Sequence, residues 1–131
     1  MPVHKHLIIR AEVNHPITSE RELRKWLRNL VKKIDMKIIK GPYAAYVSKE
    51  GNRGLTGIVM IETSHISIHI WDEESQALVQ CDVYSCAEFS SNEVLAEFVP
   101  MDVVTIDKIV LDRVDELKIT HCDWVKAMEN E

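Results

Sequence analysis

From Ser64 to Trp71 the residues alternate in kind: Ile66, Ile68 and Ile70 fall on one parity, and His65, Ser67, His69 and Trp71 fall on the other. A β-strand sends successive side chains to opposite faces, so this segment presents one oily face and one row of proton-handling groups. Such a strand cannot stand alone. It requires neighbouring strands and, over the isoleucine side, a second layer that excludes water.

Candidate neighbours flank it on both sides. Thr56 to Glu62 reads as a strand after a Gly- and Asn-containing turn at Lys49 to Gly54, and Ala77 to Ser85 reads as another after the acidic turn Asp72 to Glu74. Three strands with short connections predict an antiparallel meander. Lys5 to Val13 reads as an opening strand ended by His15-Pro16, while Met36 to Lys40 and Ala44 to Ser48 are short strand candidates around Gly41-Pro42. For the covering layer, Ser19 and Glu22 form a capping box, and Leu23, Trp26, Leu27, Leu30, Val31 and Ile34 recur at helical spacing. Arg28, Lys32 and Lys33 lie off that stripe and favour the C-terminal end of the helix dipole. Ser90 and Glu93 make a second capping box, predicting a short helix through Phe98 that Pro100 ends. Val103 to Leu117 fits a strand, a helix or one of each, and Thr120 to Glu131 reads as a helical or frayed end. The expectation is one α+β domain over residues 1–131, a two-layer sandwich of a mainly antiparallel sheet with helices on one face. The other face is left to solvent or a partner.

Composition narrows the function classes. The chain has 131 residues, 46% of them hydrophobic, which suits one core. Its net charge of -5 arises from 21 acidic and 16 basic residues mixed along the sequence, with no basic block to meet a nucleic acid or an anionic membrane. The start Met1-Pro2-Val3-His4-Lys5-His6-Leu7 lacks the apolar core of a signal peptide, so a cytoplasmic location is expected. Cys81, Cys86 and Cys122 form no C-x-x-C and suggest neither a disulfide framework nor a zinc knuckle. Cys81 and Cys122 read as core thiols, Trp26 and Trp124 as packing, and His4, His6, His15 and His121 as solvated.

The histidine row of the 64–71 strand has more than one reading. It fits a half-solvated strand with surface histidines. A metal shared by His65 and His69 is disfavoured, because strand positions four apart lie ~13 Å from each other. It also fits a site of proton transfer.

Three ordered blocks bear on that choice: Gly54-Leu55-Thr56-Gly57, then Glu62-Thr63-Ser64-His65-Ile66-Ser67-Ile68-His69-Ile70-Trp71, then Cys81-Asp82-Val83-Tyr84-Ser85-Cys86. Together they resemble the G-V-T-G, E-S-H-x-x-I-H-T-W-P-E and D-V-F-T-C-G blocks of the small prokaryotic S-adenosylmethionine decarboxylases. The resemblance implies a proenzyme that cuts itself between Thr63 and Ser64, with Ser64 attacking the preceding carbonyl and ending as a pyruvoyl group. It implies that this group forms a Schiff base with the substrate amine and draws off electrons as carbon dioxide leaves. By the same carry-over Cys86 is the proton donor, His69 and Thr56 assist self-cleavage, and Glu73, Trp71 and Tyr46 contact the substrate. The implied product feeds spermidine synthesis, and the implied assembly is a homodimer with sites at or near the interface.

The chain departs from the family pattern in places. Thr63 stands where the family has Glu, and Trp71-Asp72-Glu73 replaces W-P-E. Two further functions therefore stay open: a pyruvoyl-dependent arginine or ornithine decarboxylase, suited by the acidic Asp72, Glu73 and Glu74, and an unprocessed homologue that binds a ligand or partner.

Ser64 and His69 are five apart and would point to opposite faces of an unbroken strand. They can serve one site only if Ser64 sits in a turn or at the strand's edge.

Overall fold

The computed structural model describes residues 3–122. Among these residues seven strands form one sheet: β1 (Lys5–Val13), β2 (Ile38–Val47), β3 (Gly54–Ile61), β4 (Ser64–Trp71), β5 (Ala77–Ser85), β6 (Val103–Asp112) and β7 (Lys118–Cys122). Their order is β2-β3-β4-β5-β1-β6-β7, and every neighbouring pair is antiparallel. The expected meander is β3-β4-β5, and the opening strand β1 lies between β5 and β6.

Helix α1 (Glu20–Lys33) covers one face of this sheet. The Ser19 side chain accepts the Glu22 N–H at 3.0 Å, as the capping box requires, and Glu20 and Glu22 in the first turn with Lys32 and Lys33 in the last complement the dipole. Leu23, Leu27 and Leu30 are fully buried against Ile66, Ile68 and Ile70 and their counterparts on β1, β3 and β5. Close approach is set at Gly57. A Cβ there would stand 2.7 Å from Leu23 Cδ2 and 3.0 Å from Leu27 Cδ1, so only a glycine lets the helix settle at this distance from β3. The short helix α2 (Ser91–Ala96), capped by Ser90, brings Val94 into the same layer, and Phe98 beyond it is fully buried. Trp26 packs edge-on against Phe98 at 5.3 Å and donates its indole N–H to the Glu97 carbonyl.

Several boundaries differ from expectation. The two short strands around Gly41-Pro42 are one strand, β2, whose register shifts between Ile38 and Lys40 and again between Lys40 and Tyr43. An edge strand tolerates this, since a proline N–H is not missed on the side that has no partner. The second helix ends at Ala96, and Pro100 lies in a separate 3-10 turn, Val99–Met101, where a proline at the start of a turn removes no needed donor. Val103 to Leu117 resolves into a strand through Asp112, because its apolar run pairs with β1 along its length. Thr120 to Cys122 belongs to β7 and is not helical; the remainder of that expected tail, with Trp124, lies outside the described residues. Among the described residues no helix is long and apolar enough to cross a membrane.

Candidate active site

The uncovered face of the sheet carries His65, Ser67, His69 and Trp71 from β4, flanked by Thr56 of β3 and by Gln80, Asp82 and Tyr84 of β5. The chemistry gathers at the two ends of β4.

At the first end, Ile61 pairs with Ser64, so Glu62 and Thr63 form a two-residue hairpin loop. Neither loop residue has a positive φ, whereas hairpins of this length normally use mirror-image turns that do. The positive φ falls instead on Ser64, at 150°, a region that favours glycine and costs a side-chain-bearing residue about 1–3 kcal/mol. Ser64 is thus the first residue of β4, at the strand's edge beside the turn, as sharing a site with the outward face demands. Its Oγ lies 3.0 Å from His65 Nδ1.

The peptide before Ser64 is held on both sides. The Thr63 carbonyl accepts the Cys86 N–H at 2.9 Å. The Thr63 hydroxyl accepts from Ser85 Oγ at 2.9 Å and donates to Met36 Sδ at 3.2 Å, and Ser85, fully buried, in turn accepts the Ala87 N–H. A neutral threonine thus fits a hydroxyl-lined seat at the position where the resemblance leads one to expect a carboxylate. Cys86 follows β5 directly; it is an exposed free cysteine whose backbone N–H meets this peptide. Cys81 is the opposite case: it is buried in the core, and desolvation pushes its thiol pKa far up.

Around Ser64 lies a cluster that sequence reading missed. His65 faces Tyr84 across the strands, with ring centroids 5.8 Å apart. Tyr84 is hydrogen-bonded through its hydroxyl to His4 Nδ1 at 2.9 Å and is covered by the Arg113 guanidinium at 4.2 Å. His6 bonds Asp82 at 2.9 Å. His4 and His6 are therefore partnered, contrary to the solvated role expected for them. The missed signal was parity: His6 alternates with Leu7 and Ile9 and so had to share a face with the β4 histidines once β1 lay beside β5.

At the other end of β4, Thr56 and His69 are direct cross-strand partners, and Thr56 Oγ1 lies 3.1 Å from His69 Nδ1. His69 stacks on Trp71 at 5.5 Å and 20°, and the Trp71 indole N–H donates to Asn52 at 2.9 Å. Thr56, His69, Trp71 and Asn52 line a cavity of about 190 Å³. Beyond it, Glu73 accepts the Arg53 N–H at 2.9 Å, and the backbone N–H groups of Arg53 and Gly51 hold its carboxyl below the usual range. Asp72 accepts from Arg53 Nε and from the Tyr46 hydroxyl, each at 3.1 Å. Trp71 and Glu73 border one recess, whereas Tyr46, opposite the buried Leu55, lies on the helix-covered parity of the sheet and reaches this end of β4 only through its hydroxyl on Asp72.

The two ends do not meet within one chain. Ser64 and His69 are five strand steps apart, which is roughly 16–17 Å. Ser64 and Cys86 are brought together, as are His69 and Thr56, but the pairs stand apart.

Comparison with known proteins places this geometry in context. A family model described as S-adenosylmethionine decarboxylase matches residues 5–109. The S-adenosylmethionine decarboxylase proenzyme of Hydrogenobaculum sp. (strain Y04AAS1) is 30% identical over 115 residues, covering 85% of this chain and 81% of that one. The proenzyme of Aquifex aeolicus is 32% identical over 99 residues, 74% and 69% of the respective chains. The crystal structure of the adenosylmethionine decarboxylase from Aquifex aeolicus superposes with a TM-score of 0.68 at 27% identity, covering 86% of this chain and 91% of that one.

Proposed function

The chain belongs to the S-adenosylmethionine decarboxylase family of carboxy-lyases, and we propose that it decarboxylates S-adenosylmethionine with a pyruvoyl group made from its own Ser64. The observation that carries this is the Thr63–Ser64 peptide. Its carbonyl already receives a backbone N–H from Cys86, its neighbouring hydroxyl is the internal nucleophile, and its strained φ raises the energy of the uncut state. These residues fit a group generated in place. When formed, the pyruvoyl group supplies an electron-withdrawing carbonyl that accepts the electron pair left as carbon dioxide departs.

The surrounding residues divide the remaining work. Cys86, exposed and tied by its N–H to the Thr63 carbonyl, holds the proton returned to the substrate carbon. His69, with Nδ1 engaged by Thr56, has Nε2 left to move the proton that elimination of the cut serine ester requires. Glu73, its carboxylate oriented by the Arg53 and Gly51 N–H groups, keeps further acceptor lone pairs for ribose hydroxyls, while Trp71 offers a flat surface to adenine. Asp72 is already engaged by Arg53 and Tyr46, which weighs against arginine or ornithine as the substrate. The product would supply aminopropyl groups for spermidine synthesis.

The gap along β4 supports a homodimer. Two uncovered faces laid together with strands opposed bring the Thr56–His69 end of one protomer to the Ser64–Cys86 end of the other. Tyr43, Ile58 and Met60, all well exposed, give that face an apolar area to bury.

Intact mass of the purified protein tests the proposal. The expected result is two fragments, 1–63 and 64–131, the second without a free amine, together with carbon dioxide release from S-adenosylmethionine. Ser64→Ala should remain one chain. A wild-type chain that stays whole and inactive would remove the decarboxylase function and leave ligand or partner binding.

A further inference from the structure

Self-cleavage begins with a serine hydroxyl, a weak nucleophile until a base takes its proton. His69 stands roughly 16–17 Å along β4 from Ser64 of the same chain and, in the function proposed above, serves the later elimination. A different histidine touches the nucleophile. His65 Nδ1 lies 3.0 Å from Ser64 Oγ, within the range needed for proton transfer.

We propose that His65 is the catalytic base and acid of the first step, the transfer of the Thr63 acyl group from Ser64 nitrogen to Ser64 oxygen. The Oγ–H proton passes to His65 Nδ1 as Oγ bonds to the Thr63 carbonyl carbon. The carbonyl π pair moves onto oxygen, where the Cys86 N–H receives it. On collapse the C–N bond breaks and its electron pair goes to Ser64 nitrogen. His65 returns the proton there, leaving an ester and a free amine with no water consumed. The role requires Nδ1 to be unprotonated, with the ring proton on Nε2.

The surroundings suit a fixed ring. Tyr84 faces His65 across the strand pair and is itself pinned by His4 and by Arg113. Two histidines on one strand face then serve two successive steps, His65 making the ester and His69 destroying it.

The assignment rests on the self-cleavage proposed above, and the test separates the two. Full-length wild type, His65→Asn and His65→Ala are prepared by cell-free synthesis, and fragment formation is followed by mass spectrometry with and without neutral hydroxylamine, which cuts esters but not amides. Asn keeps a hydrogen-bonding group near the position of Nδ1 but cannot carry the proton. The expected result is cleavage slowed about 10²–10⁴-fold in both variants, no hydroxylamine-released fragments, and partial recovery of His65→Ala by added imidazole. Wild-type rates in His65→Asn would overturn the role of His65 and leave self-cleavage standing. A slow His65→Asn that accumulates hydroxylamine-sensitive ester would also overturn it, since the block would then follow acyl transfer. A wild-type chain that is never cut, with or without hydroxylamine, would overturn self-cleavage itself.

Discussion

Cys81 and Cys86 are five residues apart and chemically opposite. Burial keeps the Cys81 thiol protonated and out of reach, whereas Cys86 is exposed beside the hairpin. Iodoacetamide should therefore label Cys86 in the native protein and Cys81 only after denaturation, as peptide mapping would report; early labelling of Cys81 would contradict its place in the core. Glu73 carries a pH signature of defined sign. Its folded pKa is depressed by the Arg53 and Gly51 N–H groups, so its hold on the preceding turn is present above the unfolded carboxylate pKa and is lost only as pH falls through the lower folded value. Amide NMR should show the Arg53 and Gly51 signals moving with a midpoint below that of an unperturbed glutamate. A midpoint at or above it would mean that the carboxylate is not held.

The spacing of α1 over β3 follows from one missing side chain. Leu23 and Leu27 are fully buried, so a methyl at Gly57 finds neighbours with little room to yield. Gly57→Ala should destabilise by about 1–3 kcal/mol through overpacking, read as a lower urea midpoint with an unchanged slope. Equal stability would show that the helix rises off the sheet at no cost. The helix itself was legible because its capping box, stripe and basic last turn are all local. β2 was read as two pieces because Gly41-Pro42 is a strong breaker, and its edge location, which excuses the proline, is not written in the local sequence.

In the whole molecule the separation of Ser64 from His69 makes a single protomer incomplete for the proposed chemistry. Mixing inactive variants tests this directly. Co-expressed Ser64→Ala and His69→Ala chains should yield fragments from the His69→Ala chain alone, because its intact Ser64 then meets the partner's His69. No cleavage in the mixed dimer, with wild type cut normally, would mean that His69 acts within its own chain, and cleavage of His69→Ala expressed alone would mean that it does not act at all.

The sequence by itself determined which residues face the core and which face outward on β4, where both helices begin, and which serine, cysteine and histidines belong to the three family-like blocks. These are local properties: alternation, capping and the order of short motifs depend on backbone geometry over a few residues. Tertiary structure alone decided that β1 lies beside β5, bringing His4 and His6 to Tyr84 and Asp82, and that the Cys86 N–H meets the Thr63 carbonyl across 23 positions of sequence. Strand partners are chosen by the joint burial of whole faces and the closure of the loops between them, and no window of residues contains that choice.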